Sequence, residues 1–354
     1  MKKLIFLLIT IFVSSLTFCS CGGGGGDGGT STGTMALFAT DAPTPDLSGF
    51  QQVDVPVNSV SLLNTGTSAA CDLSTSQTAL NLSDLSDTIQ LLSISTCPST
   101  QYNRIHIVFG DSVTLMQNNT TQTCTFTSFK DENNKVDTLD CNSATRTCSI
   151  DINGAVNVLA SQPGKLALDF TLKDFEVTNF PDQGCTATMK VSPLNASGIE
   201  GKEKNEGYKE AITGFISNIN LGGKTFIIMK NGSSFTVDYS GVTTQGIDQL
   251  LQFALDNNLK VQVKSSSIDL SINSIKASAV YIKVEGTIKP GTLNTTNMTF
   301  TLVFDSGEIT VDYSTVEVEG TLGDNLAVEA KLVAFDGAKY KAIEVEQEIV
   351  ETGD

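Results

Sequence analysis

The sequence predicts a mostly-β protein: an N-terminal β-sandwich followed by two small OB-like β-barrel repeats, one of them carrying an inserted helix. Three observations point there. Short alternations of apolar and polar residues at period two recur between turn residues over 35–197, as half-buried strands joined by tight turns require. Six cysteines crowd between residues 71 and 185 and none follows. Beyond residue 210 the chain repeats itself at an offset of 72 to 74 residues.

Composition narrows the function before any motif is read. The 354 residues hold 22 Lys+Arg against 39 Asp+Glu, a formal net charge of −17, with one His and no Trp. So acidic a chain is a poor partner for nucleic acid, whose phosphates are neutralised by clustered Lys and Arg. A single histidine excludes His-rich metal sites, and no C-x-x-C-H haem signature occurs. Forty per cent hydrophobic residues with only 17% charged is a composition that folds.

The N-terminus reads as an export signal, residues 1–20. Met1-Lys2-Lys3 is positive, and Leu4 to Val13 is apolar apart from Thr10. Ten residues are too few to span a bilayer, which takes about 20, and suit the hydrophobic region of a secretory signal. A buried core helix is the competing reading, disfavoured by the two opening lysines and the glycine tract that follows. Leu16-Thr17-Phe18-Cys19-Ser20-Cys21 then runs into Gly22–Gly26. A small residue directly before a cysteine at this place resembles the lipobox of bacterial lipoproteins. The resemblance implies acylation of the cysteine thiol, cleavage on its N-terminal side, and, with Gly22 following, delivery to the outer membrane or cell surface. Cys21, preceded by Ser20, fits best, and Cys19, preceded by the bulky Phe18, is the runner-up. Residues 21–34 then form the lipidated cysteine and a glycine-rich tether, whose last thirteen residues reach about 20 Å as a flexible coil. Cleavage before Cys21 removes two lysines and no acid, taking the formal charge from −17 to −19. An anionic leaflet repels such a body, so the expected membrane partner is engaged by acyl chains, two or more of which hold stably.

The other cysteines, Cys71, Cys97, Cys124, Cys141, Cys148 and Cys185, are even in number and confined to one domain. In an exported protein this reads as up to three disulfides. Their spacing matches neither a C-x-x-C redox motif nor zinc knuckles. Six cysteines allow 15 pairings. Locally, Cys141 and Cys148 flank a hairpin-like turn, while Cys124 could instead face Cys141 across Asp131–Asn134.

Residues 35–197 form the predicted sandwich. Its strands are read at 35–39, 53–62, 79–82, 102–109, 125–129, 147–152, 166–170 and 175–177. Thr40-Asp41-Ala42-Pro43 closes the first with turn chemistry. This element, Val57 and Val60, Leu80 and Leu82, Tyr102-x-Arg104-Ile105 and Leu166-x-Leu168-Asp169-Phe170 together resemble a bacterial lipoprotein domain of unknown function, a Thr-Asp-Ala-Pro-type β-sandwich. The family has no established catalytic residues, so the resemblance implies none here; the cysteine-bearing stretch 119–148 departs from its pattern. His106 alternates with Ile105 and Ile107 and reads as a surface side chain rather than a catalytic base. Asp41 reads as a turn residue before a cation ligand. Asp131, Glu132 and Asp137 could offer oxygens to Ca²⁺, but the stretch lacks the Gly and terminal Glu of an EF-hand loop and reads as a solvated hairpin tip.

Residues 198–210, rich in Gly, Glu and Lys, read as an interdomain linker. Two repeats follow, 211–283 and 284–350. Phe235-Thr236-Val237-Asp238-Tyr239-Ser240 recurs as Ile309-Thr310-Val311-Asp312-Tyr313-Ser314, and Ile212-Thr213-Gly214-Phe215-Ile216 as Val284-Glu285-Gly286-Thr287-Ile288. Only the first repeat carries the helix-period set Ile247, Leu250, Leu251 and Ala254. Five or so strands per unit suggest an OB-like barrel, and the units resemble a second bacterial domain of unknown function, carried by Gly286, Gly320 and flanking valines. Tyr239 and Tyr313 recur at one fold position, which reads as packing before a stacking platform. Glu317, Glu319, Glu329, Glu344, Glu346 and Glu348 would repel a phosphate backbone.

No G-x-S-x-G, H-E-x-x-H or Walker loop occurs. The sequence therefore reads as a lipid-anchored, non-catalytic binding or structural protein outside the cytoplasm, with no cofactor, no metal site, no nucleic-acid partner, and a protein or glycan partner it does not name. A small-ligand or Ca²⁺ carrier is the alternative, and a hydrolase comes third.

Overall fold

The computed structural model describes residues 31–41, 50, 52–73, 78–85, 87–117, 120–130, 136–170, 176–181, 184–230 and 232–347. The chain is mostly β, with two α-helices, α1 (Ala196–Asn205) and α2 (Ile247–Asp256). Cys19, Cys21 and the tether up to Thr30 lie outside the described residues.

Two sheets make the N-terminal body. In one, Thr32–Asp41 runs antiparallel to Thr88–Pro98 and parallel to Gly164–Phe170. In the other, Gln52–Leu63 pairs with Gln101–Gly110 and Ser112–Gln117, and these carry Thr147–Asn157 and Thr120–Lys130 on their far edges. One strand joins both sheets. The 186–190 half of Thr186–Asn195 lies beside Thr120–Lys130, and its 191–195 half lies beside Gly164–Phe170. Inward residues at every second position, among them Val55, Leu62, Ile105, Ile107 and Phe109, fill the space between the sheets. The sandwich is thus the one the period-two alternation predicts.

Each repeat closes a ring of five strands. In the first, Lys209–Asn220, Thr225–Lys230, Ser233–Asp238, the start of Ser274–Ile288 and Lys260–Asp269 pair in that order, and the last returns to the first. In the second, the end of Ser274–Ile288, Thr299–Phe304, Gly307–Asp312, Tyr340–Gln347 and Ala327–Phe335 repeat the same circuit. Ser274–Ile288 is a single continuous strand of 15 residues. It closes the first ring and opens the second, so the boundary expected between 283 and 284 falls inside a strand rather than in a connection.

The glycines of the repeated opening strands explain part of the shared pattern. A Cβ on Gly214 would lie 2.2 Å from the Met229 carbonyl oxygen, and one on Gly286 would lie 2.4 Å from that of Val303. In both barrels the neighbouring backbone comes close at the same place of the opening strand, and only glycine lets it approach so closely. Helix α2 occurs in the first repeat alone. Ile247, Leu250, Leu251 and Ala254 are its buried residues, the set that the helical spacing marks. Its Phe253 ring reaches the second repeat, with centroids 4.6 Å from Tyr340 and 5.8 Å from Phe304.

The segment expected to be a linker is folded. Asn195 caps α1, its side-chain oxygen accepting from the Gly198 amide at 3.0 Å, and Ile199 and Lys202 are buried. Directly after it, Lys209–Ile212 adds in parallel to Thr88–Leu91. The first sheet of the sandwich therefore continues into the first barrel. Phe38, Ile89 and Leu91 share one apolar core with Tyr208, Ile212 and the barrel interiors. Residues 198–210 splice two modules into one body, and their glycine- and charge-rich composition misleads because only one side of a short helix needs to be apolar.

Candidate functional site

The structure places the sequence-marked residues in structural roles. Cys71–Cys97, Cys124–Cys185 and Cys141–Cys148 form three disulfides. Cys141 and Cys148 stand directly opposite in an antiparallel pair, as the hairpin reading expects, whereas Cys124 faces Cys185 and not Cys141. His106 stands opposite Asp151 across two strands. Its Nδ1 lies 2.8 Å from the Asp151 carboxylate, which also accepts from Arg104 at 3.0 Å. This is a cross-strand polar cluster on the outer face. Asp41 is fully buried, and its carbonyl oxygen accepts from Lys202 Nζ at 3.2 Å and from the Tyr208 hydroxyl. The side chains of the suggested Ca²⁺ stretch, Asp131, Glu132 and Asp137, lie outside the described residues. Tyr239 and Tyr313 are core residues that tilt against Phe226 and Phe300 at 5.9 and 5.7 Å, the same packing in both barrels.

Several repeat carboxylates face inward to the module junction. Asp84, in a short 3₁₀ turn of the sandwich, accepts from Lys283 in the strand shared by the barrels at 2.8 Å and from Lys331 in the second barrel at 3.2 Å. Lys283 also pairs with Glu329 at 2.7 Å and Lys331 with Glu344 at 2.8 Å. Asn81 donates to Glu346 at 3.1 Å. Burial by itself would raise the Asp84 carboxyl, but the two ammonium groups beside it outweigh that and hold it at about 2. Glu346 thus reaches across to the sandwich, and Glu329 and Glu344 pair with the lysines that do, so these three are not the free repelling surface the sequence suggests.

Beside this network lies a cavity of about 330 Å³ where the sandwich meets both barrels. That volume is at the small end of ligand sites. Its apolar wall comes from Leu80, Leu85 and Leu92 of the sandwich and from Phe215 and Met229 of the first barrel. Phe215 and Met229 pair across adjacent strands and remain 40% and 36% exposed. The polar wall is Asn81, Gln90, Thr213, Gln262, two acids, Asp84 and Glu329, and three lysines, Lys230, Lys260 and Lys283. Thr213 donates to the Gln90 side-chain oxygen at 3.3 Å. Gln262 is 2% exposed, and its side-chain oxygen has no hydrogen-bond partner among the described residues. Lys260 holds Glu285 at 2.8 Å, and Lys283 holds Asp84 and Glu329. Lys230 has no carboxylate partner among the described residues. Burial, and secondarily the neighbouring Lys260, push its ammonium below the usual lysine value. Sequence reading missed this site because its residues come from six separated segments, and no spacing along the chain marks them.

Among the described residues, no helix is long and apolar enough to cross a membrane. No curated protein matches the chain. Among solved structures, Drosophila Unr CSD456 is 14% identical to this chain, the match covering 50% of this chain and 76% of that one with a TM-score of 0.15. Residues 32–184 match the family model of a domain of unknown function, DUF4382. That stretch takes in the two sheets up to the strand that joins them: a DUF4382 domain of unknown function spans residues 32–184.

Proposed function

We propose that this protein is a lipid-anchored, non-catalytic binding protein that works outside the cytoplasm, at the outer membrane or cell surface, held through Cys21. The partition of its cysteines carries the reading. All six in the folded body pair as disulfides, which persist in oxidising compartments. The two left over, Cys19 and Cys21, stand together where an apolar segment gives way to a glycine run. Other features support a binding role over catalysis. The chain's one histidine is engaged with Asp151 on an outer strand face, and the body's thiols are consumed in crosslinks. The junction cavity offers a place for a small ligand.

Metabolic labelling with palmitate tests the anchor. Label is expected on the wild type and on Cys19→Ser, and not on Cys21→Ser. Equal labelling of Cys21→Ser, or none on the wild type, would overturn the assignment.

A further inference from the structure

We propose that the junction cavity binds a small organic monocarboxylate with an apolar body, its carboxylate on Lys230 and a hydrogen-bond donor on the Gln262 side-chain oxygen. The proposal deepens the binding reading above, and it would stand as a pocket assignment even if the anchor were wrong.

The charge count at the cavity is the first ground. In a chain of net charge −17, this wall carries three lysines against two acids, Asp84 and Glu329. Lys283 pairs with both acids, Asp84 pairs with Lys331 as well, and Lys260 pairs with Glu285. Lys230 is the lysine of the three with no carboxylate partner among the described residues. An ammonium partly withdrawn from water without a counter-charge is costly, and a ligand anion would remove that cost.

The second ground is independent of charge. Gln262 lines the cavity and is buried, and its side-chain oxygen has no donor among the described residues. Buried acceptors are normally satisfied. Gln262 stands opposite Thr213 in the strand pair, but Thr213 gives its hydroxyl to Gln90. An N–H or O–H on the ligand would complete the acceptor.

The walls set the rest of the ligand. Leu80, Leu92, Phe215 and Met229 suit an apolar body, and about 330 Å³ is room for a small molecule. One unpaired lysine matches one carboxylate. A phosphate, with more charge, would call for several cations or a nest of backbone amides.

N-acetyl-L-tryptophan is a fitting probe, since it joins a carboxylate, an amide N–H and an apolar ring. The chain contains no Trp, so indole emission reports the probe alone. Titration of the full-length chain is expected to give saturable binding. N-acetyl-tryptophanamide, which lacks the charge, should bind at least tenfold more weakly. Lys230→Met should weaken the acid at least tenfold and leave the amide unchanged. Equal affinity of acid and amide for the wild type, a measurement that needs no variant, would overturn the proposal, as would absence of saturable binding or an unaltered Lys230→Met. These failures would leave the anchor standing, since palmitate labelling decides it separately.

Discussion

Asp84 and Lys283 are 199 residues apart in the chain and 2.8 Å apart in the structure. The pair ties a 3₁₀ turn of the sandwich to the strand shared by the two barrels, and it makes stability depend on pH in a definite direction. The Asp84 carboxyl, 21% exposed, is held at about 2 against an ordinary 3.8. A depressed carboxyl contributes stability that is present above the ordinary value and lost as pH falls through that value toward the folded one. The difference corresponds to about 2 kcal/mol. Asp84→Asn should therefore lose about that much at neutral pH, and the gap to wild type should close between about pH 4 and pH 2. Urea denaturation across that range measures it.

Gly214→Ala and Gly286→Ala should each destabilise by about 1–3 kcal/mol or more, because the new methyl meets a carbonyl oxygen rather than a flexible side chain. Gly201→Ala, in helix α1 with nothing within 4 Å of the added carbon, should have the opposite sign and stabilise by up to about 1 kcal/mol. Thermal melts of the three variants would show the contrast.

The disulfides should differ in worth with the loop each closes. Cys124–Cys185 spans 61 residues and Cys141–Cys148 spans 7. By chain entropy the first contributes about 4 kcal/mol and the second about 2. Paired Cys→Ala replacements, compared by denaturant midpoint, should rank them in that order, and peptide mapping without reduction should recover the three linked pairs.

A fragment ended at residue 197 should not behave as an independent domain. It would bare Phe38, Ile89 and Leu91, which share a core with the first barrel, and each such side chain is worth about 1.5–3 kcal/mol when buried. Reduced unfolding cooperativity or aggregation is expected. A fragment melting as sharply as the full chain would show that the splice at 198–210 matters little.

What could be read in the sequence follows from how local each signal is. Helix α2 was legible because Ile247, Leu250, Leu251 and Ala254 recur at helical spacing on one side. The Cys141–Cys148 pair was legible because a short hairpin fixes its register. Thr88–Pro98 escaped notice as a strand: its first half is buried on both faces, lying between Thr32–Asp41 and Lys209–Asn220, so alternation never shows. Ser274–Ile288 alternates through the repeat boundary without a break, and nothing local says that it serves two barrels. The contact of Asp84 with Lys283, and the meeting of Lys230 with Gln262 at one cavity, exist only after distant segments pack together.

Intact-mass analysis of the native protein bears hardest on the anchored reading. A chain whose first residue is Cys21, carrying a diacylglyceryl thioether, with all six downstream cysteines oxidised, is the expected product. A chain that begins at Met1, free of lipid and with reduced thiols, would refute the membrane address and remove the reason for its crosslinks.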